Sequence, residues 1–233
     1  GKAPSVFVSG GYSKDLYEYL VNYLNCFENT FEQPQLKTTV PASRPFEVVQ
    51  VEKEGAIQNA LRLGRTMWSY NHKDRIPFSV LNTVLGGYFG SRLMMNIRED
   101  KGFTYGIGSF YLSHQDFGIW GIATEVGSEY AKLTFQEIER EVNRLRDELV
   151  PEEELERVKN YMVGQFLSNT DGTFAVMEQF KSFWLRDTSF DALDQWLKIV
   201  QGITADEVQK LAQKYLSIGK LTIVNAGQFT TFR

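Results

Sequence analysis

The chain has 233 residues, 42% of them apolar, with 17 Phe, 11 Tyr and 4 Trp, so it can bury a sizeable core and is not a disordered chain. A net charge of −4 and a pI near 5.4 argue against nucleic-acid or anionic-membrane partners, which require a positive field. No apolar run reaches the roughly 18–20 residues of a membrane span, so a soluble protein of unassigned compartment is expected.

The opening Gly1-Lys2-Ala3-Pro4 does not read as a signal peptide and suggests a cut inside a longer protein. Ser5–Ser9 is a short β-branched run ending in Gly10-Gly11, and Ser13 opens a helix with Leu16, Tyr17, Leu20, Tyr23 and Leu24 at helical spacing. The single cysteine, Cys26, excludes an internal disulfide and reads as a packed thiol at that helix end. Residues 28–45 are polar, with Pro34, Pro41 and Pro45, and predict a linker at a domain boundary. Strands are expected at about 46–53 and 57–68, paired as an antiparallel hairpin over Glu54-Gly55.

Pro77 to Leu85 predicts a helix stopped by Gly86-Gly87. Ser91 is the expected N-cap of a second short helix to about Glu99, which Gly102 ends. Strands follow at about 103–112 and 117–126. Ile138, Val142, Leu145 and Leu149 share one helical face, and Pro151 with Glu152, Glu153 and Glu154 opens the next helix in keeping with its dipole. Leu155, Val158, Met162 and Phe166 give that helix its apolar face. Further helices are expected over 172–185 and 189–200, and Thr204 with Glu207 forms a capping box for a last one. A strand from Leu221 closes the chain near Gly227. This order predicts an α+β fold, an antiparallel sheet with helices packed on one face.

A hydrolase needs a nucleophile or a metal that makes one from water. The two histidines, His72 and His114, lie in charged turns, and neither has a second histidine at helical spacing, so they read as exposed loop residues and no zinc site is legible. The Gly86–Ser91 stretch lacks the lysine of a phosphate loop and follows a helix. The acidic run Glu152–Glu156 reads as a solvated helix start, and Phe174, Phe180, Phe183 and Trp184 as core or interface packing.

The segment from Leu85 to Ser109 carries the chemistry. Arg98, near the end of the short helix, and Tyr105, just past the Gly102 turn, offer a fixed cation and a phenolic donor that a tight turn can bring over one spot. Such donors can grip a peptide carbonyl and stabilise the oxyanion formed on attack, worth about 3–4 kcal/mol for one well-placed donor. On spacing alone, a plainer alternative is favoured, in which Arg98 complements a helix C-terminus and Tyr105 packs in the sheet.

Gly86-Gly87, Ser91-Arg92-Leu93, Ile97-Arg98-Glu99 and Gly102-Phe103-Thr104-Tyr105, in this order, resemble the second-half signature of the pitrilysin/insulinase family of zinc metallopeptidases. Gln58 with Leu61 and Gly64, Pro151–Leu155 and Ile203–Val208 resemble flanking motifs, and the likeness spans about Ser5 to Gly227. Phe103, where leucine is common, and the aromatic pair Tyr88-Phe89 depart from the pattern. The resemblance implies one zinc-free half of a clamshell whose other half, fused or separate, carries H-x-x-E-H and zinc. It implies that residues 1–40 are the closing strand and helix of a preceding half plus linker, and 41–233 the zinc-free C-terminal peptidase-like domain. It further implies that Arg98 and Tyr105 bind an unfolded peptide substrate and stabilise the tetrahedral intermediate, with no metal or other cofactor in this chain and no activity of the chain alone. A non-catalytic assembly or peptide-binding subunit of the same fold is the alternative.

Overall fold

The computed structural model describes residues 5–25, 47–186, 188 and 191–232. Cys26, the 28–45 linker and the boundary expected within it lie outside the described residues. Two compact units emerge, one from within Gly1–Thr39 and Gly164–Asp194, the other from within Val40–Val163 and Gln195–Arg233.

The larger unit is built on a five-stranded sheet of β1 (Glu47–Glu52), β2 (Gln58–Met67), β3 (Thr104–Ser113), β4 (Gly118–Gly127) and β5 (Thr222–Gly227), in the order β1-β5-β2-β4-β3. The expected β1–β2 hairpin does not form. The last strand inserts between the two, antiparallel to β2 and parallel to β1. Two buried asparagines fix that insertion: Asn59 Nδ2 donates to Asn225 Oδ1 at 2.8 Å, and Asn225 Nδ2 to Gln50 Oε1 at 2.7 Å. An amide buried without partners would cost several kcal/mol, on the order of 2–7, so this network selects one strand order. β2–β4 and β3–β4 are antiparallel, as predicted.

Alternation decides which face is covered. Leu61, Leu63, Trp120, Ile122 and Ile223 are fully buried on one face, beneath α2 (Arg75–Asn82), α3 (Ala131–Asp147) and α7 (Ala205–Tyr215). Leu149, grouped by spacing with the α3 face, is exposed because α3 has already ended. α4 (Glu152–Asn169) buries Leu155 and Val158, and the capping box at Thr204 and Glu207 is present. Among the described residues, no helix is long and apolar enough to cross a membrane.

α7 is also tied to the start of α2. Asp74 accepts hydrogen bonds from Lys214 Nζ and the Tyr215 hydroxyl. Burial alone would raise the Asp74 pKa, but these two donors outweigh it and hold the carboxyl below its ordinary range. A lowered native pKa means stability that is present above the unfolded-state value and lost as pH falls through the native one. The acid limb of a melting-temperature profile is therefore expected to flatten in Asp74→Asn. An unchanged limb would show that the group is not linked to folding. His72, expected to be exposed, is half-buried: its ring stacks on Trp68 at 4.4 Å, and its Nδ1 accepts from the Asp74 backbone N–H. His114 is exposed.

The smaller unit contains α1 (Lys14–Asn25) and α5 (Thr173–Leu185), neither with a buried residue. Ser5–Ser9, expected as a strand, is not in one, since no ladder partner is present among the described residues. Instead, Phe7 packs edge-on against Phe180 and Trp184, and Ser9 Oγ donates to Thr173 O at 2.8 Å. The α5 aromatics are therefore not a closed core: Phe174 and Trp184 are exposed. α6 (Asp191–Gly202) leads back to the larger unit.

Candidate functional site

The site is assembled from the glycine turn upward. α2 continues into a wide π-helical turn, Thr83–Gly87, and Asn82 pins its end to the sheet, accepting from Trp120 Nε1 at 2.9 Å and donating to Ser109 O at 3.2 Å. Gly86 lies so close to β3 that a Cβ there would stand 2.5 Å from Ser109 N. Gly86→Ala is thus expected to cost about 1–3 kcal/mol, as overpacking against backbone does. A urea midpoint equal to that of the unmodified chain would contradict this.

Arg92 and Leu93 begin the next helical stretch, which widens to π geometry over Met94–Asp100. Ser91 does not cap it. Its hydroxyl is buried and has no hydrogen-bond partner among the described residues, because the side chain is turned into the core. The anchor is Arg92, whose Nε and Nη2 donate to the two carboxylate oxygens of Glu154 at 2.8 and 2.9 Å. Glu154, expected to be solvated, is thereby drawn into a mostly buried, bidentate pair. Leu93 and Ile97 are fully buried and hold the stretch onto the core.

Gly102, at φ 65°, closes the stretch in the left-handed region open to glycine. Gly102 N and Phe103 N donate back to Arg98 O and Ile97 O. The chain then enters β3 with a bulge between Thr104 and Ile107. Thr104 Oγ1 stabilises the bulge, accepting from Gly106 N at 3.1 Å and donating to Glu125 O at 2.6 Å. Bulges re-aim side chains, and here Tyr105 projects outward, 94% exposed. It does not pack in the sheet.

Arg98 and Tyr105 border one cavity of about 450 Å³, with Gln58, Phe103, Glu125 and Tyr130. Glu99 Oε1 accepts from Arg98 Nη1 at 2.8 Å, and the guanidinium carbon lies 4.6 Å from the centre of the Phe89 ring, a cation–π contact. Phe103 stacks on Tyr130 at 4.8 Å. Of the aromatic residues that depart from the expected pattern, Phe103 therefore lines this cavity and Phe89 braces its arginine. Tyr88, by contrast, packs at a tilt on Tyr161, with ring centres 4.8 Å apart, and its burial raises the phenol pKa. Sequence reasoning missed Phe89 as a support for Arg98, and Asn96, Glu137 and Glu141 behind it; an arginine nine residues from a phenylalanine carries no periodic signal.

A family profile described as the Peptidase M16 inactive domain matches residues 4–162. The chain belongs to this family. The uncharacterized zinc protease YmxG of Bacillus subtilis is 26% identical to this M16 domain over 208 residues, covering 89% of the chain and 49% of the relative. The mitochondrial-processing peptidase subunit alpha of Homo sapiens is 23% identical over 181 residues, 73% of the chain and 34% of that protein. The crystal structure of a peptidase M16 inactive domain from Pseudomonas fluorescens superposes with a TM-score of 0.80 at 22% identity, covering 95% of the chain and 53% of that one. The chain thus spans about half the length of the Bacillus relative or less of the human one, and the helices-on-sheet α+β fold is that of M16 inactive domains.

Among the described residues, no group of three or more His, Cys, Asp and Glu side chains could hold a metal ion, and neither histidine lies at the Arg98 and Tyr105 cavity.

Proposed function

We propose that this M16 inactive domain holds an unfolded peptide at the Arg98 and Tyr105 cavity, while a zinc-bearing half, fused or separate, cleaves it. One observation carries the reading: two strong donors at the same cavity keep hydrogen-bonding capacity to spare. Arg98 commits Nη1 to Glu99 and a face of its guanidinium to the Phe89 ring, which leaves Nε and Nη2 without a hydrogen-bond partner among the described residues, and the Tyr105 hydroxyl has none. Guanidinium and phenol groups are suited to a peptide carbonyl, and they stabilise it more as it acquires negative charge on attack. The domain then contributes to catalysis only with its other half, residues 41–233 being the peptidase-like domain and 1–40 the closing segment of a preceding half with its linker.

Equilibrium binding of a fluorescein-labelled, unstructured dodecapeptide tests the reading. The chain is combined with a zinc half whose motif Glu has been replaced, so that no cleavage occurs. The Arg98→Ala, Tyr105→Phe double variant is expected to bind at least about tenfold more weakly, about 1.4 kcal/mol, with an unchanged melting temperature. Equal affinity would overturn the role of the pair and favour an assembly subunit.

A further inference from the structure

The stretch that carries Arg98 is fastened to α3 by a polar clasp that lies behind the peptide cavity. Glu137 and Glu141, four residues apart on one face of α3, are both buried, Glu141 to 2% exposure. Buried carboxylates are costly unless their oxygens are hydrogen-bonded. A single amide meets both: Asn96 Nδ2 donates to Glu137 Oε2 at 3.1 Å and to Glu141 Oε1 at 2.7 Å. Arg140 lies 3.0 Å from Glu137, Arg144 lies 3.2 Å from Glu141, and Lys101 adds an ammonium 3.7 Å from Glu137.

Asn96 and Lys101 flank Arg98 in sequence. The arginine therefore sits between two ties to Glu137, just ahead of the Gly102 turn that leads to Tyr105. Leu93 and Ile97 hold this stretch down, but apolar contacts are non-directional and leave its rotation about its own axis weakly defined. A π-helical turn is the less regular geometry and depends on tertiary contacts to persist. The two N–H donors of an amide, matched to two carboxylates, supply the missing direction.

We infer that Asn96, held between Glu137 and Glu141, is a positioning residue that sets Arg98 at the peptide cavity; this rests on the peptide-gripping reading above. An aspartate at 96 would have the same shape but place a third carboxylate against two, with Lys101, Arg140 and Arg144 as the cations facing the group. Repulsion turns the stretch away from α3 at neutral pH, and proton uptake by one carboxyl relieves it.

Asn96→Asp is tested by the same dodecapeptide titration with the inactivated zinc half. Affinity is expected to fall about tenfold at neutral pH, the scale of one misplaced charge-assisted hydrogen bond, and to recover in mildly acidic buffer. Backbone amides of 97–105 exchange faster at neutral pH in step with the loss. Glu141→Gln, which keeps an acceptor for Asn96 and removes a charge, is expected to bind within about twofold of the unmodified chain. Should Asn96→Asp not fold, Asn96→Ser, with a single donor, is expected to give a partial, pH-independent loss. A pH-independent loss in Asn96→Asp that merely tracks its melting temperature would mean a structural role only and overturn the inference. So would unchanged binding in Asn96→Asp where Arg98→Ala binds weakly. If Arg98→Ala itself binds normally, the peptide-gripping reading fails first.

Discussion

In the protein reconstituted with its zinc half, Arg98→Ala is expected to lower kcat by about 10²-fold or more, with zinc content unchanged. The size follows from where the charge develops. A neutral peptide carbonyl gains about 1.5 kcal/mol from a hydrogen bond to a charged donor, whereas an oxyanion gains about 3 kcal/mol from one preorganised donor. The loss should therefore appear in kcat beyond the weaker binding that KM records. Tyr105→Phe removes a single oxygen from a side chain that is 94% exposed and contributes nothing to the core. Any rate loss in that variant is chemical rather than structural. The Phe89 face and the Glu99 carboxylate hold the guanidinium before substrate arrives, which is the condition for preorganisation. Unchanged kcat/KM in both variants would remove the pair from the reaction.

Arg92→Ala is expected to cost about 3 kcal/mol of folding stability, because removing one member of a buried pair leaves the other charge uncompensated. Both side chains are mostly covered, 9% exposed for Arg92 and 19% for Glu154, and the pair is bidentate. A shift of that size lowers the melting temperature by about 6–12 °C in a chain of this length. Arg92→Lys is expected to recover little, since a lysine cannot make the paired, planar contact. A double-mutant cycle with Glu154→Ala isolates the coupling; a coupling near zero would make the pair incidental. The two arginines of the motif region thus divide their work, Arg92 anchoring the turn and Arg98 facing the cavity.

Much of this was legible in the sequence, for physical reasons that differ by element. β3, β4 and α7 were readable because alternation, turn glycines and the Thr204–Glu207 box are local signals. The position of β5 between β1 and β2 was not, because it is decided by Asn59 and Asn225, which are 166 residues apart. A tight turn at Glu54-Gly55 is equally compatible with a hairpin. Ser5–Ser9 has strand-like composition, but a strand exists only with a partner to share its ladder. Ser91 has the residue type of an N-cap, yet tertiary packing claimed its side chain. At the site, spacing alone favoured a plain reading of Arg98 and Tyr105 and the family resemblance singled them out; both border one cavity. The supports behind them, Phe89, Asn96, Glu137 and Glu141, act through contacts that no local pattern announces. Glu154 was legible as a helix-start acid, which it also is, but its partner lies 62 residues away.

Peptide cleavage by the purified chain, in the presence of zinc, alone and mixed with the H-x-x-E-H half, tests the central claim most directly. Silence alone and activity on mixing is the predicted result, and it makes this M16 domain the substrate-holding member of a two-half peptidase. Robust zinc-dependent cleavage by the chain alone would contradict the account, since it would require a metal site that the described residues do not provide.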